Sequence, residues 1–190
     1  KSLKLYLGSY SGTRFNRRAE VIQTLESDLT LAARAPVAVS LLSPEQIQQH
    51  GLALLNGQVL DHLDVEIDEY YWNPEFLRLE SDTIVRESLV THLFKSICPV
   101  TGQPDYASVQ IQYAGASISH EGLLKYLISY RSHAEFAEQI AERIYVDIQN
   151  RCGPDRLTVQ ARFTRRGGID INPHRSFEDV LTTDARVWRQ

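Results

Sequence analysis

The chain has 190 residues, 43% of them hydrophobic and 23% charged, with 20 basic against 24 acidic side chains and a formal net charge of −4. This is the composition of an ordinary globular protein of one domain or two small ones; it disfavours non-specific binding to a phosphate backbone, and no apolar run approaches the length of a membrane span. Two cysteines, Cys98 and Cys152, make neither a disulfide framework nor a paired zinc spacing, so a reducing, cytoplasmic compartment is expected.

Lys1 to Gly8 reads as packed structure rather than a signal peptide. Tyr6-Leu7-Gly8-Ser9-Tyr10 resembles Tyr126-Leu127-Ile128-Ser129-Tyr130, an offset of 126 − 6 = 120. A helical stretch follows each copy, Ala19 to Leu31 and then Glu135 to Gln149, and a short strand follows that. Val37 and Val39 correspond to Leu157 and Val159 at the same offset. Between the copies, Ser43 to Arg86 forms a long connector, with a turn predicted at Asn56-Gly57 and a strand over Val65 to Trp72.

The second copy is the more complete. Glu87 to Ile97 is apolar on both faces and predicts a buried strand. From Ser108 to Tyr113, Val109, Ile111 and Tyr113 alternate with Ser108, Gln110 and Gln112, the pattern of a strand with one packed face. A helix is predicted from about Glu121, with Leu123, Leu124, Leu127 and Ile128 on its apolar side. Ser132 and Glu135 then have the spacing of a capping box, and Phe136, Ile140, Ile144 and Ile148 fall every four residues as a core stripe. A further strand runs from Leu157 to Thr164, and Gly167-Gly168 turns the chain. The module reads β-β-α-α-β-β: an α+β fold with helices on one face of an antiparallel sheet. The expected division is a partial module over 1–64, lacking its opening strands, and a complete one over 65–190; residues preceding Lys1 are expected in the natural protein.

Chemistry concentrates in Cys98-Pro99-Val100-Thr101-Gly102-Gln103-Pro104-Asp105, between two predicted strands. A thiol nucleophile must lose its proton, and a carboxylate within reach can accept that proton or return it. On the residues alone, an inert buried cysteine and a turn aspartate remain the simpler reading.

This segment resembles the active-site loop of the NADPH-dependent 7-cyano-7-deazaguanine reductases, the QueF family. Lys1-Ser2-Leu3-Lys4-Leu5-Tyr6 is similar to the end of that family's signature, and Arg165-Arg166-Gly167-Gly168-Ile169-Asp170-Ile171-Asn172-Pro173 to its C-terminal signature. The resemblance spans nearly the whole chain, on a duplicated module like that of the family's two-module branch. It implies tandem tunnelling-fold (T-fold) modules, and reduction of the nitrile of 7-cyano-7-deazaguanine to the aminomethyl base in queuosine biosynthesis. It also implies NADPH as reductant and a homodimer. Cys98 would form a covalent thioimide, with Asp105 as general acid/base at a raised pKa. Glu138 would bind the deazaguanine edge. Lys1, Arg166 and Gly167 would hold NADPH; for Arg165 and Arg166 a solvated charge pair is the plain alternative. Phe136 matches an aromatic near the substrate, although its place in the stripe favours packing.

One position departs from the pattern. The family has a histidine before the substrate glutamate, and this chain has Ala137 before Glu138. Impaired binding or turnover is therefore expected, the alternative being a catalytically silent purine-binding protein. Six histidines without cysteine partners at ligand spacing argue against a metal site. The single Arg-Arg-Gly-Gly stretch in an acidic chain argues against direct nucleic-acid binding.

Overall fold

A computed structural model of the chain describes residues 2–178 and 186–190, apart from the side chains of 48–50. The polypeptide divides into two compact units, Lys1–Gly51 and Leu52–Gln190.

The first unit is helical: α1 (Ser2–Ser9), α2 (Arg18–Ala33) and α3 (Pro44–His50). Ser43 caps α3 through a reciprocal box with Gln46, and Pro44 occupies the first helical position, where a missing N–H costs nothing. The strand expected at Val37 and Val39 does not form. No neighbouring strand is offered to them, and their N–H groups bond instead to Thr30 Oγ1 (3.1 Å) and Glu26 Oε1 (3.0 Å), side chains of α2.

The second unit comprises β1 (Leu52–Ala53), β2 (Gln58–Val59), β3 (Leu79–Ile97), β4 (Pro104–Ile118), α4 (His120–Ser129), α5 (Ala137–Cys152), β5 (Arg156–Phe163), β6 (His174–Ser176) and β7 (Arg186–Val187). A five-stranded sheet runs in the order β2-β3-β4-β5-β6, antiparallel from β3 onward, while β1 pairs with β7. The series β3-β4-α4-α5-β5-β6 is the expected β-β-α-α-β-β order, and the architecture is α+β. Alternation produces the sheet's two faces. Val109, Ile111 and Tyr113 of β4, with Leu157, Val159 and Ala161 of β5, enter one core cluster with Leu123, Leu124 and Leu127 of α4 and Ile140, Ile144 and Ile148 of α5. Ser108, Gln110 and Gln112 face the other way, with Gln110 Nε2 donating to the Asn56 carbonyl (2.7 Å).

Five local expectations are corrected. β3 begins at Leu79, eight residues before Glu87, because the polar run Glu80-Ser81-Asp82 hides an exposed half-strand. Asn56-Gly57 does not close a hairpin: the strands on either side pair with β7 and β3 rather than with each other, and the Asn56 carbonyl docks on Ser88 and Gln110. The strand expected over Val65–Trp72 is irregular chain. Its alternating burial is real, since Val65, Ile67 and Trp72 pack against the core, but no ladder partners it. Phe136 is not in the stripe. It is 50% exposed and precedes α5 as an N-cap without a side-chain cap, so the Ser132–Glu135 box does not form either. Residues 133–135 instead run beside the end of β3: Ile97 N–H donates to the His133 carbonyl (2.9 Å) and Glu135 N–H to the Ile97 carbonyl (3.2 Å).

Candidate active site

The loop joining β3 to β4 is a tight, self-bonded turn. Cys98 N–H donates to the Gln103 carbonyl and Gly102 N–H to the Cys98 carbonyl, both at 2.9 Å. Gly102 sits at φ +67°, a conformation that glycine adopts without steric cost. The loop thereby holds Cys98 half-buried at the strand end. The Thr101 hydroxyl and then the Val100 and Thr101 backbone N–H groups bond the sulfur and lower the thiol's pKa; burial opposes them, and the Arg166 charge adds to the lowering.

Asp105 is the second residue of β4, at the far side of the loop. Burial pushes its carboxyl above the ordinary carboxylate range, while Arg166, through charge and hydrogen bonding, pulls against that shift. Arg166 Nε lies 2.6 Å from Asp105 Oδ1. Its Nη1 donates to Thr101 Oγ1 (3.2 Å) and its Nη2 to the Pro104 carbonyl (2.9 Å). Arg166 is carried by the turn after β5, where Arg166 and Ile169 exchange backbone bonds across Gly167 and Gly168, at φ +58° and +83°. Arg165 pairs with Asp170 (3.1 Å).

The third component is the entry to α5. The backbone bonds between Ile97 and residues 133–135 place this entry at the same end of the sheet as Cys98. Glu138 is exposed in the first turn of α5, and Ala137 is half-buried against the core. An ion cluster underpins the segment. Glu135 Oε1 lies 2.6 Å from Arg143 Nη2, and Glu135 Oε2 lies 3.0 Å from His133 Nε2. Arg143 is the main cause holding the Glu135 carboxyl below its usual range; burial opposes it and His133 assists. The Arg143 guanidinium also covers the Trp72 ring at 4.8 Å.

Of the residues singled out from the sequence, the structure thus gathers Cys98, Asp105 and Arg166 around one loop. It sets Ala137 and Glu138 on the adjoining helix entry and Gly167 on an open turn, while Lys1 lies outside the described residues. Sequence reasoning missed the grip of Arg166 on Asp105 and the Glu135–Arg143 pair, because neither follows a local spacing rule. Among the described residues no group of three or more histidine, cysteine, aspartate or glutamate side chains is placed to hold a metal ion, and no helix is long and apolar enough to cross a membrane.

Two family models match the chain: "Nitrile reductase, 7-cyano-7-deazaguanine-reductase N-term" over residues 1–41 and "QueF-like protein" over residues 104–180. A relative from Hydrogenovibrio crunogenus, named NADPH-dependent 7-cyano-7-deazaguanine reductase, is 50% identical over 191 residues, covering 100% of this chain and 68% of its own. A relative of the same name from Bordetella pertussis is 49% identical, with coverage of 100% and 70%. Among solved structures, the apo archaeosine synthase QueF-Like aligns at a TM-score of 0.45 and 21% identity, covering 54% of this chain and 100% of that one. With half of all positions shared along the full length of the chain, the loop, the helix entry and the glycine turn described above are those of a member of the NADPH-dependent 7-cyano-7-deazaguanine reductase family.

Proposed function

We propose that this chain reduces the nitrile of 7-cyano-7-deazaguanine to the aminomethyl group, through a covalent thioimide on Cys98 and at the expense of NADPH, in queuosine biosynthesis. The observation that carries the reading is the loop in which a thiol of lowered pKa and a desolvated carboxyl are held by one frame. The Cys98 sulfur adds to the nitrile carbon, one π bond of the C–N triple bond is lost, and Asp105 delivers a proton to the nitrogen. Sulfur addition turns a poor hydride acceptor into a more electrophilic C=N group. Glu138, exposed at the entry of α5, offers a carboxylate to the adjacent N–H donors of a guanine-like edge.

The residues present suit the reductant. Arg165 and Arg166 lead into an open glycine turn, and a Cβ added at Gly168 would meet nothing within 4 Å, so a phosphate can approach the turn closely. Arg166 and Gly167, together with Lys1, would hold it. The chemistry that NADPH supplies when bound is hydride, used twice to take the nitrile to the amine. The working form is assigned as a cytoplasmic homodimer of tandem T-fold chains, residues 65–190 forming the complete module and 1–64 the partial one. Nucleic acid is not a direct partner.

Ala137 supports a slower variant of this enzyme, because it brings no ring nitrogen to the helix entry. The same residue favours the second reading, a purine-binding protein without turnover. Intact mass spectrometry after incubation with 7-cyano-7-deazaguanine, without NADPH, separates them. A mass gain equal to the base, absent from Cys98→Ala, is expected. No gain, even in Ala137→His, would leave the binding protein as the better account.

A further inference from the structure

We infer that Arg166 is a positioning residue: it joins the middle of the Cys98–Asp105 loop, at Thr101, to its far end, at Pro104 and Asp105, and so orients the Asp105 carboxyl for its proton exchange in the reaction at Cys98. The inference rests on the proposed adduct chemistry at Cys98.

All three guanidinium nitrogens of Arg166 are committed to this loop: Nε to Asp105 Oδ1 at 2.6 Å, Nη1 to Thr101 Oγ1 at 3.2 Å, and Nη2 to the Pro104 carbonyl at 2.9 Å. Thr101 is also the residue whose hydroxyl supports the Cys98 sulfur. One side chain therefore sets both the proton acceptor and the support of the nucleophile. A planar fork suits this task, since a lysine ammonium cannot meet three acceptors in one plane. The fork comes from a constrained base: the backbone exchange between Arg166 and Ile169 and the two left-handed glycines fix the turn.

The charge around Asp105 makes Arg166 decisive. Arg165 is engaged by Asp170. Lys95, on the strand paired with β4, gives its ammonium to the Arg131 carbonyl (3.0 Å). Arg189 sits over the ring of the neighbouring Tyr106, 5.8 Å from its centroid. Cys98 lies at the other end of the loop, and among the described residues Arg166 is the cation bonded to the carboxylate. Without it, burial would act on the carboxyl unopposed and raise its pKa further. With it, the proton passes from sulfur to Asp105 and then to the nitrile nitrogen as the sulfur–carbon bond forms and one π bond breaks. No proton or electron is needed from outside for this step.

The test is the rate of covalent adduct formation with 7-cyano-7-deazaguanine, without NADPH, followed by intact mass from pH 5 to 9 for the wild type, Arg166→Gln, Arg166→Lys, Asp105→Asn and Asp105→Asn/Arg166→Gln, each checked for an unchanged Tm. Arg166→Gln is expected to slow the adduct about tenfold at neutral pH, roughly 1.4 kcal/mol, and to move the acid limb of the profile to higher pH. Arg166→Lys should return the limb towards its wild-type position while leaving the rate low. In the Asp105→Asn background, Arg166→Gln should add little, because the two residues act as one unit. A Gln variant that reacts at the wild-type rate, or one slowed equally at every pH, would overturn the inference while leaving Cys98 as nucleophile. An adduct missing from the wild type would overturn the Cys98 chemistry itself.

Discussion

Two cysteines of one chain differ because their surroundings do. Cys98 lies half-exposed under hydroxyl and backbone donors that favour its thiolate, whereas Cys152, at the end of α5, is buried and its pKa is pushed up to about 11. At pH 8, iodoacetamide is therefore expected to label Cys98 well before Cys152, and the Cys98 labelling rate should hold to lower pH than that of a free thiol; peptide mapping over time measures both. The other informative residue is Ala137. A histidine there would bring an imidazole to the helix entry beside Glu138, and Ala137→His is expected to raise steady-state turnover by at least about tenfold, or 1.4 kcal/mol of barrier. A smaller gain in NADPH oxidation would assign the position a minor role. Cys98 and Asp105 stood out in the sequence through the resemblance of their loop to a family's active-site segment, since the residues alone favoured an inert cysteine and a turn aspartate. Arg166 was legible as a cation near glycines but not as the partner of Asp105, since the sheet alone brings the two turns together.

At the scale of an element, α5 links core to site. Its stripe of Ile140, Ile144 and Ile148 is fully buried against the sheet, and Ile144→Ala is expected to cost about 2–5 kcal/mol in urea unfolding, from lost transfer energy and the cavity left behind. The stripe was readable from spacing, but the start of α5 was not. Ser132 and Glu135 have capping spacing, yet backbone bonds to Ile97 draw 133–135 along the sheet edge, and the Glu135 carboxylate turns to Arg143 and His133. Losing that pair should cost Glu135→Gln about 1–3 kcal/mol at neutral pH. The folded-state pKa of Glu135 is lowered, so its contribution is complete above the unfolded value of about 4.3 and vanishes as pH falls through the folded value. The stability difference between wild type and variant should therefore close on acidification below pH 4, which denaturation at stepped pH reads directly. β3 shows the converse limit: its second half announced itself by apolar residues, while its first half is exposed and polar and becomes a strand through pairing with β4.

For the whole molecule, burial is unevenly shared. Leu25 is the buried residue of α2, whereas β4 and β5 carry near-continuous buried runs. Local opening follows the density of buried contacts, so native-state hydrogen exchange is expected to be slowest for amides of β4, β5 and α4 and faster throughout α1 and α2; equal protection in both units would contradict that ranking. The sequence by itself determined the α+β class, the β-β-α-α-β-β order and the sheet's packed face, because these rest on periods of two and near four residues that local geometry imposes. Only the tertiary structure decided which alternating segments find a ladder. Residues 61–70 alternate in burial without becoming a strand, and Val37 and Val39 bond to helix side chains. It also decided which charges meet: Arg166 with Asp105, and Arg143 with Glu135. Pairing of this kind depends on where distant backbone segments are brought side by side, and no spacing along the chain records that distance.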